Sequence, residues 1–249
     1  MTPALRSEAS SLRDCSGLVA VVTGTSRGIG RATARLLAER GARVLGCSSQ
    51  PSEPIDGVEQ IMVDLAVPGA VETLMERSLA IAGSVDCWVN NAGRLAPIGA
   101  LAEVDTEEVR KAIEVNVQAV VRATSLFAAH VASRPGAGVL INLSSGAGST
   151  PYEGWAHYCA AKAFVDMLTE VVAREGAASG LRAHSVAPGV VDTEMQRLIR
   201  ATPSSVFPAQ PRFVARYEAG ELKSAEEAAR QIVDLVMDPG DVPVVLRLP

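Results

Sequence analysis

The chain has 249 residues, of which 48% are hydrophobic, and it carries a formal net charge of -5 with a pI near 5.3. This length and composition are typical of one large globular domain. The acidic balance and the lack of a basic run argue against nucleic acid or an anionic membrane as a partner. The four cysteines form no Cys-x-x-Cys pair and no apolar leader is present, so we expect free thiols, no metal site and a cytoplasmic protein.

Short β-branched apolar runs alternate with segments of helical period along the chain. This alternation predicts an α/β fold, a doubly wound parallel sheet of about seven strands with helices on both faces (Rossmann fold). We expect a polar N-terminal tail over residues 1–16 and a single Rossmann-type catalytic domain over residues 17–249. The predicted strands are 18–22, 42–47, 61–63, 85–89, 138–143, 181–186 and 242–246, and the predicted helices are 28–40, 71–82, 106–132, 155–175 and one that begins after Ser224.

Residues 193–223 break the alternation, and we call this segment the excursion. It holds three prolines and the aromatic residues Phe207, Phe213 and Tyr217. Its length exceeds that of an ordinary connection, which indicates a functional lid rather than a linker. Directly after it, Ser224 and Glu227 have the spacing of a capping box at a helix start.

The turn between the first strand and the first helix is rich in glycine. Glycines there let the backbone turn tightly and approach a pyrophosphate that sits on the helix N-terminus. The alternative is an ordinary glycine-rich turn, but the position at the start of a βαβ unit favours a dinucleotide site. The predicted contacts are Gly24, Ser26, Arg27, Gly28, Ile29 and Gly30.

The end of the second strand indicates which dinucleotide is bound. An NAD enzyme usually carries an acid there for the ribose 2′-hydroxyl, whereas this chain has Ser48 and Ser49. The serines can donate to a 2′-phosphate and Arg27 can pair with it, so NADP is favoured, although Arg27 can also be a solvated loop arginine. After the third strand, Asp64, with Leu65 beside it, can accept from the adenine amino group or serve only as a turn residue.

A hydroxyl, a phenol and an ammonium follow the fifth predicted strand. Ser145 comes directly after that strand, and Tyr158 and Lys162, four residues apart, share one face of the next predicted helix. A nearby ammonium lowers the pKa of a tyrosine, which is otherwise near 10. The spacing therefore suits proton transfer.

These motifs together resemble one known family, the short-chain dehydrogenases/reductases, over nearly the whole chain. Residues 151–168 and 192–196 further resemble the sepiapterin reductase and benzil reductase branch of that family. The residues that carry the family resemblance are the glycine motif, Asn90, Asn91, Ala92, Gly93, Ser145, Tyr158, Lys162, Pro188 and Gly189.

The resemblance implies a role for each catalytic candidate. Tyr158 would donate a proton to a substrate carbonyl oxygen as hydride arrives from the nicotinamide, Ser145 would hydrogen-bond the same oxygen, and Lys162 would lower the pKa of Tyr158 and hold the nicotinamide ribose. Asn116 matches the helix asparagine of a water-linked proton relay; without the resemblance it is a polar helix residue satisfied by its neighbours.

The resemblance also implies cofactor contacts after the fourth and sixth strands. Thr193 would contact the nicotinamide carboxamide and can also be a helix N-cap. The contacts predicted in these two places are Asn90, Asn91, Ala92, Gly93, Pro188, Gly189, Val191 and Thr193.

The substrate pocket is expected to be apolar and aromatic. Trp155 and Met195 are predicted to contact the substrate together with Ser145 and Tyr158, which suits a bulky or aromatic ketone or diketone. Further predicted walls are Leu95, Tyr152, Phe207 and Phe213.

Two alternatives to a benzil reductase-like enzyme stay open. Pterin reductases grip their substrate with an acid in the last strand, where this chain has valine, although Asp241 would serve in a shifted register. The second alternative is a sensor that binds NADP without turnover. The family typically pairs the helices at 106–132 and 155–175 across a two-fold axis, so we expect a homodimer, with a tetramer as the alternative.

Overall fold

The computed structural model describes residues 14–238 and 240–248, so the predicted tail at 1–16 lies almost entirely outside the described residues. Cys15, however, is described and fully buried, and its backbone N–H donates to the carbonyl of Arg40. The packed chain therefore begins before residue 17, earlier than the sequence predicts.

Seven parallel strands form one sheet in the order β3-β2-β1-β4-β5-β6-β7, which confirms the predicted doubly wound fold. Two strands are shifted from their predicted bounds. The strand β3 begins at Val58, three residues earlier than predicted, and β7 begins at Val245, three residues later. Pro243 has no N–H to donate to a ladder, which explains why the last strand begins beyond it. The strands are β1 (Val19–Thr23), β2 (Arg43–Ser48), β3 (Val58–Met62), β4 (Cys87–Asn90), β5 (Gly138–Leu143), β6 (Leu181–Ala187) and β7 (Val245–Arg247).

Helices cover both faces of the sheet. Neighbouring residues of a strand point to opposite faces, so Val22 packs with the cluster under α1 and α8, and Val21 with the cluster under α2 and α4. The capping box of Ser224 and Glu227 is present at the start of α8, as predicted. The helices are α1 (Gly28–Glu39), α2 (Ala70–Ala82), α3 (Thr106–Ile113), α4 (Ala119–Ala132), α5 (Ala156–Gly176), α6 (Glu194–Ala201), α7 (Gln210–Glu218) and α8 (Ala225–Val236).

The single α-helix predicted over residues 106–132 is wrong at its centre. A π-helical turn, Glu114–Gln118, separates α3 from α4. The apolar spacing stays helical on either side, which hides the extra residue of such a turn from a periodicity argument. Val115 and Asn116 are the buried residues of the turn.

The excursion contains α6 and α7 and is closed at its base. Val191 forms a parallel bridge with Lys223, the Asp192 N–H donates to the Lys223 carbonyl (2.8 Å), and the Lys223 N–H donates to the Val190 carbonyl (3.0 Å). The two ends of the segment thus lie next to each other.

Over the described ranges, no helix is long and apolar enough to span a lipid bilayer.

Candidate active site

A cleft of about 1140 Å³ opens at the carboxyl edge of the sheet. In doubly wound sheets this edge holds the ligand, where the strand order reverses between β1 and β4. Predicted site residues that line the cleft are Gly24, Ser26, Arg27, Gly28, Ile29, Ser48, Ser49, Asp64, Leu65, Asn91, Ala92, Gly93, Ser145, Trp155, Tyr158, Lys162, Pro188, Gly189, Val191, Thr193 and Met195. Gly30 and Asn116 do not line it and lie behind it.

The glycine turn has the backbone that a phosphate cradle needs. Gly24 and Gly28 have φ values of +76° and +58°, which side chains disfavour. A Cβ atom at Gly30 would clash with the Gly24 carbonyl and the Asn91 amide, so this glycine permits close packing of α1. No side chain caps the N-terminus of α1, which leaves its first N–H groups available for an anion. These residues fit a dinucleotide.

Thr23, which the sequence analysis missed, fastens β4 to the glycine turn. Its hydroxyl oxygen accepts from the backbone N–H of Asn91 and of Ala92, each at 3.0 Å, and the Asn91 Nδ2 donates to the Thr23 carbonyl at 2.8 Å. The only available signal was its place directly before the first glycine.

Asn90 does not lie along the cofactor cleft as predicted. Its side chain accepts from Trp88 Nε1 and donates to Asn142 Oδ1, both at 2.8 Å, because a buried amide in a central strand needs partners within the core. Asn90 therefore joins β4 to β5.

The end of the cleft beside β2 carries positive charge. A second cavity of about 460 Å³ adjoins it, lined by Arg27 and Arg31 together with one acid, Glu53. Arg31, also missed, lies one helical turn after Arg27, and its guanidinium donates to the carbonyl of Glu53 (2.7 Å). The Ser48 hydroxyl donates to the Gln50 carbonyl (2.7 Å), so this hydroxyl is occupied by the protein itself.

Asp64 stabilises the turn that follows β3, which is one of the two roles considered for it from the sequence. Its Oδ1 accepts from the Ala66 N–H at 3.0 Å. The side chain also lines the cleft, so a contact with an adenine remains a prediction.

Tyr158 is 6% exposed and lies at the inner end of the cleft, with its hydroxyl 3.9 Å from Met195 Sδ. Burial raises the pKa of Tyr158 to about 12, and a hydrogen bond with Ser145 acts in the opposite direction. Ser145 directly precedes a short turn, Gly146–Gly148, and caps it: the Ser145 hydroxyl accepts from the Ala147 N–H at 3.2 Å. We call Ser145 and this turn the Ser145 turn. The phenol is fully protonated at neutral pH.

Lys162 has a backbone partner in this structure, and its predicted effect on the pKa of Tyr158 stays a prediction. Its ammonium turns to the backbone carbonyl of Leu143 (2.7 Å) and lies 5.6 Å from the centroid of the phenol ring. Burial lowers the pKa of Lys162 to about 8, while the charge of Asp166 raises it. The phenol and the ammonium are adjacent without being paired.

Asn116 uses its whole amide group on the loop after β4. Its Oδ1 accepts from the Arg94 N–H (2.9 Å) and its Nδ2 donates to the Arg94 carbonyl (2.6 Å). The π turn thus lets α3 and α4 continue while one residue holds this loop beside Gly93 and the cleft.

An aromatic cluster forms one wall of the cleft. Trp155 stacks on Phe207, with centroids 4.4 Å apart and an interplanar angle of 9°, and meets Tyr158 edge to face at 5.9 Å. Leu95, Tyr152 and Phe213 line the cleft as predicted, but Phe207 does not. Phe207 is fully buried behind Trp155, with Tyr152 and Phe213 tilted against it at centroid distances of 6.3 and 5.7 Å.

Polar groups in the walls were harder to foresee. Trp155 Nε1 and Gln196 Oε1 are buried without a hydrogen-bond partner, an arrangement that typically costs about 1 to 3 kcal/mol for each group.

At the last strand, Arg247 and Leu248 reach the cleft, whereas Asp241 is exposed outside it. Across the residues described, no cluster of His, Cys, Asp and Glu is suited to hold a metal ion.

The sequence profile described as short chain dehydrogenase matches residues 18–204. The chain belongs to the short-chain dehydrogenase/reductase family. It is an oxidoreductase of a family that acts on carbonyl and alcohol groups with a nicotinamide cofactor, and its reactions interconvert these two groups.

Individual relatives differ in their substrates. The chain is 37% identical over 231 residues to cis-4-hydroxycyclohexanecarboxylate dehydrogenase of Sinomonas cyclohexanicum, covering 88% of this chain and 89% of the relative. It is 32% identical over 230 residues to the (S)-benzoin-forming benzil reductase of Bacillus cereus, covering 87% and 92%. Among solved structures, the 3-ketoacyl-(acyl-carrier-protein) reductase of Brucella melitensis complexed with NADH is similar, with a TM-score of 0.79, 25% identity, and coverage of 94% and 97%.

Proposed function

We propose that the protein is an NADPH-dependent carbonyl reductase of bulky or aromatic ketones or diketones, similar to benzil reductase. The observation that carries this proposal is the aromatic wall around Trp155 directly beside Tyr158. Flat aromatic substrates bind well against such surfaces.

The proton chemistry rests on two side chains. When bound, reduced nicotinamide supplies a hydride to the carbonyl carbon. Tyr158, protonated at neutral pH because burial raises its pKa to about 12, donates the proton to the carbonyl oxygen, and Ser145 hydrogen-bonds the same oxygen. Lys162 supplies positive charge beside them and holds the ribose.

Preference for NADPH is supported by the charges beside β2. Arg27 and Arg31 both line the adjoining cavity, and Ser48 and Ser49 line the end of the main cleft. Arginine pairs well with phosphate, and no acid follows β2 directly to repel it.

A sepiapterin-type activity is less well supported. The last strand presents the cation Arg247 to the cleft, whereas Asp241 lies outside it. A cation is a poor partner for the donor-rich ring of a pterin.

Oxidation of NADPH with a panel of aryl diketones, aryl ketones and sepiapterin tests the proposal, with NADH in parallel. We expect turnover of the diketones and at least a 100-fold loss in Tyr158→Phe. Tyr217→Phe, an exposed tyrosine outside the cleft, is the matched control and should keep its activity. Full activity of Tyr158→Phe would refute the proposed acid, and binding of NADPH without turnover of any substrate would favour a sensor.

We further propose that the protein is a homodimer. Phe164, Met167 and Val171 form an exposed apolar stripe on α5, and Ile113 of α3 is exposed as well. Light scattering should give the mass of a dimer, and Met167→Glu should give a monomer, whereas the control Met62→Glu, exposed on β3, should not. A monomeric mass for the unaltered protein would contradict the proposal.

A further inference from the structure

Asp166 is a buried carboxylate on the helix of the proposed acid. It follows Lys162 by four residues and Tyr158 by eight, so the three side chains lie on one face of α5. Asp166 is 9% exposed and Lys162 is 5% exposed. A buried charge is costly unless other groups compensate it.

Two strands supply the partners of this carboxylate. The Ser185 hydroxyl of β6 donates to Oδ1 at 2.5 Å, and the Arg247 guanidinium of β7 donates to Oδ2 at 2.7 Å. Ser185 is fully buried, and the Arg247 side chain is 37% exposed. The carboxylate therefore ties α5 to the last two strands of the sheet.

The turn that carries Ser145 rests directly on this part of α5. A Cβ atom at Gly148 would lie 2.8 Å from Asp166 Oδ2 and 3.0 Å from the Lys162 carbonyl carbon and oxygen. The hydroxyl of Ser144 donates to the same carbonyl at 3.4 Å. A movement of the carboxylate would therefore displace the floor of the turn.

Groups on β5, α5 and β7 surround Lys162. Its ammonium bonds the neutral Leu143 carbonyl of β5, the phenol of Tyr158 lies above it, and Asp166 raises its pKa against the effect of burial. From β7, Arg247 partly compensates the charge of Asp166.

We propose that Asp166 is a positioning residue of the active site, whose carboxylate, held by Ser185 and Arg247, keeps Lys162 charged and supports the Ser145 turn. The inference rests on the roles proposed above for Lys162 and Ser145.

The protein contains three lysines, Lys111, Lys162 and Lys223, which makes a direct test possible. With ¹³Cε-labelled lysine and no dinucleotide, each ammonium gives one NMR signal that can be followed with pH, and Lys162→Arg assigns the signal of interest. In Asp166→Asn, we expect the midpoint of Lys162 to fall by about one pH unit. Lys111, on the surface beside Glu108, and Lys223 should keep their midpoints.

Arg247→Gln gives the opposite expectation. It leaves the charge of Asp166 uncompensated, so the Lys162 midpoint should rise. Opposite shifts distinguish an electrostatic role from general repacking, and Arg247→Gln also carries the test should Asp166→Asn fail to fold. An unchanged midpoint in a folded Asp166→Asn, or shifts of the same sign in both variants, would overturn the inference.

The titration needs no turnover, so the two proposals fail separately. Opposite shifts in a protein that reduces no ketone would refute only the proposed function. Ketone reduction with unchanged midpoints would refute only the role of Asp166.

Discussion

Trp155 and Phe207 stack face to face, with centroids 4.4 Å apart, and so join the start of α5 to the excursion. Phe207 has no exposed surface, although it lies between α6 and α7 in a segment that the sequence marks as irregular. The wall of the cleft is therefore supported from behind by the segment that covers it.

Phe207→Ala should loosen this wall. Loss of a fully buried phenyl ring typically costs about 3 to 5 kcal/mol of unfolding free energy. We expect a lower melting temperature and a higher KM for aryl ketones. Phe207→Leu, which keeps most of the volume, should lose much less, and equal losses in the two variants would contradict this account of the wall.

Gly30→Ala should impair folding and dinucleotide binding more than Gly28→Ala. A Cβ atom at Gly30 meets the Gly24 carbonyl and the Asn91 amide, neither of which can move without opening the glycine turn. At Gly28 the nearest atom is 3.4 Å away, and the cost is the left-handed backbone, about 1 kcal/mol. Thermal unfolding and fluorescence titration with NADPH would measure both, and the reverse ranking would refute the packing argument.

Lys162→Met should stabilise the protein at pH 7 while abolishing activity. Burial lowers the pKa of Lys162 from 10.5 to about 8, so between these values the unfolded state binds more protons and the stability of the unaltered protein rises with pH. Removing the buried charge should therefore add about 1 to 3 kcal/mol at pH 7, with the gain shrinking towards pH 10.

Urea unfolding at the two pH values checks the Lys162→Met prediction. Lys111→Met is the control, because Glu108 raises the pKa of that exposed lysine and no burial cost is relieved. A Lys162→Met protein that is less stable than the unaltered one at pH 7 would show that the charge is not a burden to the fold.

Asn116→Ala should leave both backbone groups of Arg94 without their partner. These groups are partly buried, so leaving them unpaired should cost up to about 1 to 3 kcal/mol each, and the loop after β4 should become mobile and kcat should fall. Asn116→Asp loses the donor and buries a carboxylate beside the Arg94 carbonyl oxygen, so it should be at least as unstable as Asn116→Ala. Hydrogen exchange at residues 93–95 would report the change, and unchanged protection in Asn116→Ala would contradict it.

Arg27→Ala should weaken NADPH binding about 10-fold or more and leave NADH binding nearly unchanged, because only the 2′-phosphate is lost as a partner. Arg35→Ala, on the helix that begins directly after Arg27 but paired with Glu39 and Glu226, is the control. Equal weakening for both dinucleotides would place Arg27 elsewhere along the cofactor.

The sequence was sufficient for the doubly wound parallel sheet and for many of the residues that line the cleft. Glycines at a strand end, and a phenol and an ammonium at helical spacing, are local patterns with a direct chemical meaning. Arg247 and Thr23 were out of reach, because their importance comes from Asp166 and Asn91, which are distant in sequence and close only in the fold. The π turn was missed for another reason, since the apolar pattern beside it is undisturbed.

The partner of the Lys162 ammonium could not be predicted from the spacing of residues along the helix. A lysine four residues after a tyrosine suggests a pair, but in the fold the ammonium donates to the Leu143 carbonyl. Only the surrounding atoms determine how strongly each group holds its proton.

Because the bridge between Val191 and Lys223 joins the two ends of the excursion, the intervening chain can be exchanged as a unit. A graft between these residues should keep Thr193, which lies beside Gly28 of the glycine turn, and an aromatic residue at position 207 behind Trp155. A library that varies the remaining residues of this segment among relatives would then change mainly the wall of the cleft.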